Sequence, residues 1–236
     1  MPLKRAEPDT LTGWVAPERT ALIVVDMQVD FASQDGALGQ AGMDMSVTDD
    51  AVKAASSLAE SARSAGVPVI FVGLGTAAAT DSPVWGEWRR RKSGAAEADG
   101  DADGDADGDA DGDSGLCRLG QRGSEFVGPV PAEGETVIWK LRYSGFFGTS
   151  LDASLRALGV DTLVVCGLTT ECCVDCTVRD AFHLDYFVFI PTDACAAYDE
   201  KIHANALESL ELNCATLVTT DAIRSAWAGM EQEAAG

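Results

Sequence analysis

The feature that most limits the fold of this chain is a set of short, uninterrupted apolar runs. They are ALIVVD (21–26), VPVIFVGL (67–74), TVIWK (136–140), TLVVCGL (162–168) and YFVFIPTD (186–193), with a weaker sixth, CATLVTTD (214–221). A strand with one face in water alternates polar and apolar residues; continuous runs belong to strands covered on both faces, as in a parallel sheet between helices. Helix-like segments lie between them at 48–65, 149–158, 172–185 and 200–212, with Gly66 and Gly159 placed as C-terminal caps. The order is β-α-β, an interruption, then β-α-β-α-β-α-β. It predicts an α/β protein: a three-layer α/β/α sandwich around a mostly parallel, Rossmann-like sheet of about six strands. One domain accounts for all 236 residues, with its core over roughly 17–225. In such sheets the site forms at the carboxyl ends of the strands.

The interruption at 75–134 contains DGDADGDADGDADGD. Asp, Ala and Gly offer no apolar surface to bury, so a disordered acidic insertion is expected at about 95–115. The prefix DGDADG touches the calcium-loop pattern D-x-D-x-D-G. In its three registers, however, the twelfth position falls on Ala110, Ser114 and Arg118, where that loop needs a bidentate Glu. The insertion also distorts the charge: nine acids and no base fall within 97–113, and without them 29 acids face 17 bases, a charge of −12 rather than −21. That remainder still lacks the basic groups that would displace counterions from phosphates, so neither nucleic acid nor an anionic membrane is an expected partner. Seven cysteines, an odd number with several inside apolar runs, read as free thiols in a reducing compartment. With no apolar leader in MPLKRAEPDTLTGWVAPERT and no membrane-length run, a cytoplasmic protein is expected.

Three strand ends carry reactive side chains. Asp26 closes the first run, where a buried carboxylate is costly unless donors or a cation meet it. Lys140 closes the third, and an ammonium drawn into the same edge suggests an ion pair with it. Cys173 follows the fourth run and the turn GLTTE, in the first turn of the next helix. There the helix dipole is expected to lower the thiol pKa, and backbone amides to serve as oxyanion donors. Taken singly, Asp26 also reads as a turn residue and Lys140 as a lysine reaching for solvent.

The density of thiols in TTECCVDC invites other readings. Cys173-x-x-Cys176 has dithiol spacing, but its Val-Asp filling and its place after the fourth strand do not match a thioredoxin-like motif. Zinc needs a second ligand pair, and neither another C-x-x-C nor a nearby histidine supplies one. A Cys-His pair needs a histidine base, yet His183 and His203 fall within helices and read as partly exposed helix residues. Asp26 is the better base.

ALIVVDMQVDF, KLRYSGFFGTSLDASLRALGVDTLVVCGLTTECCVDCTVRDAF and YFVFIPTDA, in this order and spacing, resemble the isochorismatase-like cysteine hydrolases over about residues 17–225. The resemblance implies Asp26, Lys140 and Cys173 as catalytic residues. Val174 selects Cys173 over Cys172 and Cys176, because the family's Cys precedes Val. It further implies a cis peptide at Leu168-Thr169, an oxyanion hole from the Thr169 and Cys173 amides, no cofactor, no metal and a homo-oligomer (dimer or tetramer). RYSGFF and GWVAPERTALIVVDMQ look most like the ureidoacrylate amidohydrolases of pyrimidine catabolism, with N-carbamoyl-amine and biuret hydrolases as neighbours. Those enzymes tend to have Asn where this chain has Val29 and Glu171. The nicotinamidase branch holds a metal with histidines after the second strand, and GLGTAAATDSPVWGEW has none. The true isochorismatases cleave a vinyl ether and often lack the cysteine.

The expected activity is therefore hydrolysis of a C–N bond in a small amide or ureido substrate through a thioester, releasing ammonia or an amine. Nicotinamidase- or isochorismatase-type hydrolysis and a non-catalytic binding relative are the alternatives. Gln28 and Phe31 beside Asp26, and Arg142 and Tyr143 beyond Lys140, are the candidate substrate-binding residues. Trp85 and Trp88 suit a lid or a surface covered by a partner subunit.

Overall fold

A computed structural model describes residues 8–92 and 115–234. The acidic insertion expected at 95–115 lies outside the described residues as far as 114. The strands are β1 (Thr20–Val25), β2 (Val69–Leu74), β3 (Thr136–Lys140), β4 (Thr162–Leu168), β5 (Phe187–Pro191), β6 (Cys195–Ala196) and β7 (Thr216–Val218). Every pairing is parallel, in the order β3-β2-β1-β4-β5-β7, with β6 beside the end of β4. The helices are α1 (Leu11–Trp14), α2 (Val29–Ala32), α3 (Ala37–Gln40), α4 (Ser46–Ser64), α5 (Pro83–Lys92), α6 (Leu151–Leu158), α7 (Asp175–His183), α8 (Glu200–Asn213) and α9 (Thr220–Ala234).

The apolar runs behave as their patterns require. Every residue of β1, β2 and β4 is buried, and each large apolar side chain so covered contributes about 1.5–3 kcal/mol. The outermost strand β3 differs: Trp139 is 42% exposed while Lys140 next to it is 1% exposed. From β1 the chain winds outward to β2 and β3, then crosses to the far side of β1 and winds the other way through β4 and β5. Right-handed crossovers moving in opposite directions place α4 and α7 on opposite faces of the sheet. Helix α4 packs with α9, and α7 with α8. Ala51, Ala55, Leu58, Ala59 and Ala62 form the buried stripe of α4, small enough to bring it close to the sheet. The reversal leaves a crevice between the carboxyl ends of β1 and β4, the place where such sheets bind ligands.

Gly66 and Gly159 follow α4 and α6 with φ of 73° and 72°, the left-handed backbone expected of C-terminal caps. Gly167 is demanded by proximity instead. At φ 138°, a Cβ there would lie 2.0 Å from the Val25 carbonyl, so only glycine lets β4 pass that close to β1. The structure also adds elements. Helix α5 forms inside the interruption, α9 follows the weak sixth run, and β6 is a two-residue strand. The helix expected at 172–185 divides into a π-helical turn, Thr170–Val174, and α7. Among the described residues no helix is long and apolar enough to cross a membrane.

Candidate active site

Asp26 is the first residue past β1 and has φ 49°, a left-handed backbone that Asp tolerates better than most side chains. This turn points the carboxylate back over the end of β2, where Oδ1 accepts from the Leu74 amide at 2.8 Å. Gln28 shares that amide through Oε1 at 2.8 Å, and its Nε2 donates to the carbonyls of Leu74 and Ser124, both at 2.9 Å. The Gln28 amide is thus occupied on both sides by backbone. These bonds tie β1 to β2 and the 122–124 turn.

Lys140 ends β3, in register with Leu74, and its side chain reaches over β2. Its Nζ lies 2.7 Å from Asp26 Oδ2, 3.3 Å from Cys173 Sγ and 3.2 Å from the Arg142 carbonyl. The two charged side chains are 0% and 1% exposed. The Lys140 ammonium is the partner of Asp26 Oδ2, which accepts from no other group. A buried carboxylate oxygen with a free lone pair next to a thiol is equipped to take a proton.

Cys173 is buried in the π-helical turn between β4 and α7, a local form that recurs at functional sites. The Thr169 carbonyl accepts from the amides of Cys172 and Val174 at 3.1 and 3.2 Å, which closes the turn. The peptide at Leu168-Thr169 is cis, where the resemblance places it. The hydroxyl of Thr177 donates to the Cys173 carbonyl at 2.6 Å and accepts from Gly145 N at 2.9 Å. This joins the Cys173 turn to the loop that follows Lys140.

The electrostatics correct one expectation. Contact with the Cys172 thiol, burial and the Asp26 charge raise the Cys173 pKa well above its ordinary value, with Lys140 pulling the other way. The sulfur rests as a thiol, because these effects outweigh the helix dipole. For Lys140, burial works against the ammonium, but Asp26 and Cys173 hold its pKa above the usual lysine value.

Arg142 and Tyr143 come together with Ser82, Val84, Trp85 and Trp88 around a cavity of about 580 Å³. Tyr143 meets Trp85 edge-on at 5.5 Å. Its phenol is pushed up by burial and by Cys172, with a smaller effect from Cys173. The Phe31 carbonyl accepts from the Tyr198 hydroxyl at 2.6 Å. Burial, then Glu171, Cys117, Cys173 and Asp26, push the Tyr198 phenol up, which places it beside the reactive groups. Sequence reading passed over Tyr198, since a tyrosine 25 residues past Cys173 carries no local signal. It also passed over Asp30, a buried carboxylate that accepts from the amides of Cys117 and Ala37 at 2.6 and 2.9 Å. His203 proves to be bound to the site, with Nδ1 2.8 Å from the Thr170 hydroxyl. Among the described residues no group of three or more His, Cys, Asp or Glu is arranged to hold a metal ion.

Known proteins share this architecture. An isochorismatase domain model matches residues 20–222. The ureidoacrylate amidohydrolase RutB of Azorhizobium caulinodans is 35% identical, with 94% of this chain and 96% of that protein covered. A cysteine hydrolase from Pseudomonas syringae pv. phaseolicola superposes with a TM-score of 0.73 at 26% identity, covering 90% of this chain and 94% of the other. The N-carbamoylsarcosine amidase of Thermoplasma acidophilum gives 0.65 at 29% identity, covering 86% and 97%.

Proposed function

The chain belongs to the isochorismatase family and is a hydrolase of C–N amide bonds; from that premise we propose that it cleaves a small linear ureido compound by a cysteine nucleophile, through a covalent thioester. The observation that carries this reading is the buried contact of one ammonium, Lys140, with both the Asp26 carboxylate at 2.7 Å and the Cys173 sulfur at 3.3 Å. A thiol with a raised pKa needs a base at the moment of attack, and Asp26 Oδ2 has the lone pair to provide it.

In the first half-reaction the Cys173 proton passes to Asp26 as Sγ bonds to the substrate carbonyl carbon. Lys140 neutralises the charge shared between sulfur and carboxylate. The amides of Thr169 and Cys173 hold the oxyanion, each worth about 3 kcal/mol. Collapse breaks the C–N bond, and Asp26 returns its proton to the leaving nitrogen, which departs as ammonia or an amine. In the second half, water gives a proton to Asp26 and its oxygen attacks the thioester. The acyl or carbamoyl product leaves and the proton returns to sulfur.

An N-carbamoyl acid such as ureidoacrylate is the substrate class best supported, by two lines. Relatives named for ureidoacrylate and N-carbamoylsarcosine hydrolysis match most of the chain. The Arg142 guanidinium, which with Ser82, Val84 and three aromatic residues lines the cavity, offers a partner for a substrate carboxylate. The test is ammonia release from ureidoacrylate, N-carbamoyl amines, biuret and simple amides. Cys173→Ser should lower the best rate by at least about a thousandfold, while Cys172→Ser and Cys176→Ser retain most of it. Full activity in Cys173→Ser would sink the assignment.

A further inference from the structure

The hydrogen bond between Thr170 and His203 joins two residues that the reaction above does not use. Thr170 opens the π-helical turn, is 0% exposed, and follows Thr169, whose carbonyl organises the amides of Cys172 and Val174. A rotation there would move both the sulfur and the proposed oxyanion donors. His203 comes from α8, 33 residues away, and is half-buried. Helix α8 is a firm base for it: Asp199 caps its start by accepting from Ile202 N at 2.9 Å, Leu207 and Leu210 are buried, and Ser209 accepts from Arg179 of α7 at 3.0 Å.

We propose that His203 is a positioning residue, whose Nδ1 accepts the Thr170 hydroxyl proton and so holds the turn that presents Cys173 to Lys140. The inference rests on the cysteine-hydrolase reading and adds a pH dependence to it. The imidazole with its proton on Nε2 is the form that can accept at Nδ1. Protonation makes Nδ1 a donor, reverses the bond and turns the hydrogen of a buried hydroxyl away from its acceptor. The charges facing His203 are Glu171 from the turn and Glu200 from its own helix, and both favour the cation. The Asp175–Arg179 pair of α7 meets α8 farther along, at Ser209. Burial is the largest influence and wins, moving the imidazole below its ordinary 6.5. The bond is therefore intact at neutral pH and is lost as pH falls through that depressed value.

The experiment measures kcat and KM from about pH 5 to 8, together with the rate of Cys173 alkylation by iodoacetamide. It uses wild type, His203→Ala, His203→Asn and Thr170→Val, each checked for folding by thermal unfolding. Asn places Oδ1 near the position of Nδ1 and does not titrate. His203→Ala and Thr170→Val should each lower kcat about tenfold, with KM within about twofold, and should slow alkylation. His203→Asn should recover most of kcat at neutral pH and lose the acid limb of wild type. Wild-type kcat and alkylation in both His203→Ala and Thr170→Val, or an unchanged acid limb in His203→Asn, would overturn the inference. A wild type that hydrolyses none of the ureido or amide substrates counts against the functional reading instead, and alkylation then decides the role of His203.

Discussion

Strands β1 and β4 each meet a buried ion pair near both ends, and the two pairs are built to opposite specifications. At the amino ends, Arg19 and Asp161 form two parallel hydrogen bonds of 2.8 and 3.0 Å. The carboxylate also accepts from Thr162 at 3.1 Å, the amides of Asp161 and Thr162 both reach the Arg19 carbonyl at 3.0 Å, and the guanidinium lies 4.8 Å from the Trp14 ring. At the carboxyl ends, Lys140 meets Asp26 Oδ2 through a single contact of 2.7 Å, that oxygen has no other partner, and the ammonium also meets the Arg142 carbonyl at 3.2 Å and the Cys173 sulfur at 3.3 Å. The doubly bonded pair clamps two strands together; the singly bonded one leaves a carboxylate lone pair that the proposed mechanism uses as its base.

Asp26→Asn should break the contrast most severely. Asn keeps the left-handed backbone and the bond from Leu74 but cannot accept the thiol proton. Steady-state kinetics should show kcat/KM down by about 10² to 10⁴; a loss under tenfold would mean that the free oxygen has no function.

Arg19→Ala is the mirror experiment. It strands a buried Asp161, so denaturant unfolding should reveal a loss of about 3–5 kcal/mol, with kcat/KM per folded molecule unchanged. Reduced turnover in protein that remains folded would show that the amino-end clamp reaches the chemistry.

The smallest effect is on alkaline stability. Burial raises the Cys166 thiol well above its ordinary 9.0, and contact with Cys172, burial and Asp26 do the same for Cys173. The unfolded chain releases these protons from about pH 9 upward while the folded chain retains them, so stability is whole below that value and declines above it. Each thiol should cost about 1.4 kcal/mol by pH 10. Thermal unfolding against pH would follow this, and Cys166→Ala should flatten the decline; an unchanged slope would place the titration elsewhere.

Much of this was legible in the residue order, for identifiable reasons. Runs such as ALIVVD and TLVVCGL mark strands because no other element is covered on both faces over so short a length. Asp26, Lys140 and Cys173 were legible because charged or reactive groups stand out at the ends of such runs. The two residues of β6 are too few to carry a pattern, and the Leu74 amide that holds Asp26 has no side-chain signature. Tyr198 and His203 reach the site through contacts 167 and 33 residues apart. The Cys173 pKa was misjudged because the helix start was visible in the sequence, whereas the contact with Cys172 and the depth of burial were not.

On β3, Trp139 and Lys140 face opposite ways, one toward water and one toward the thiol. Side chains in a strand alternate with period two, so a one-residue slip of this outermost strand would bring the indole inward and send the ammonium out. Molecules misassembled in this way would keep the inner strands and helices that dominate bulk spectroscopic signals, yet on the proposed mechanism they would be silent toward substrate. On the proposed mechanism, titration of the reactive sulfur would therefore count correctly docked edge strands, which a measure of bulk folding would not.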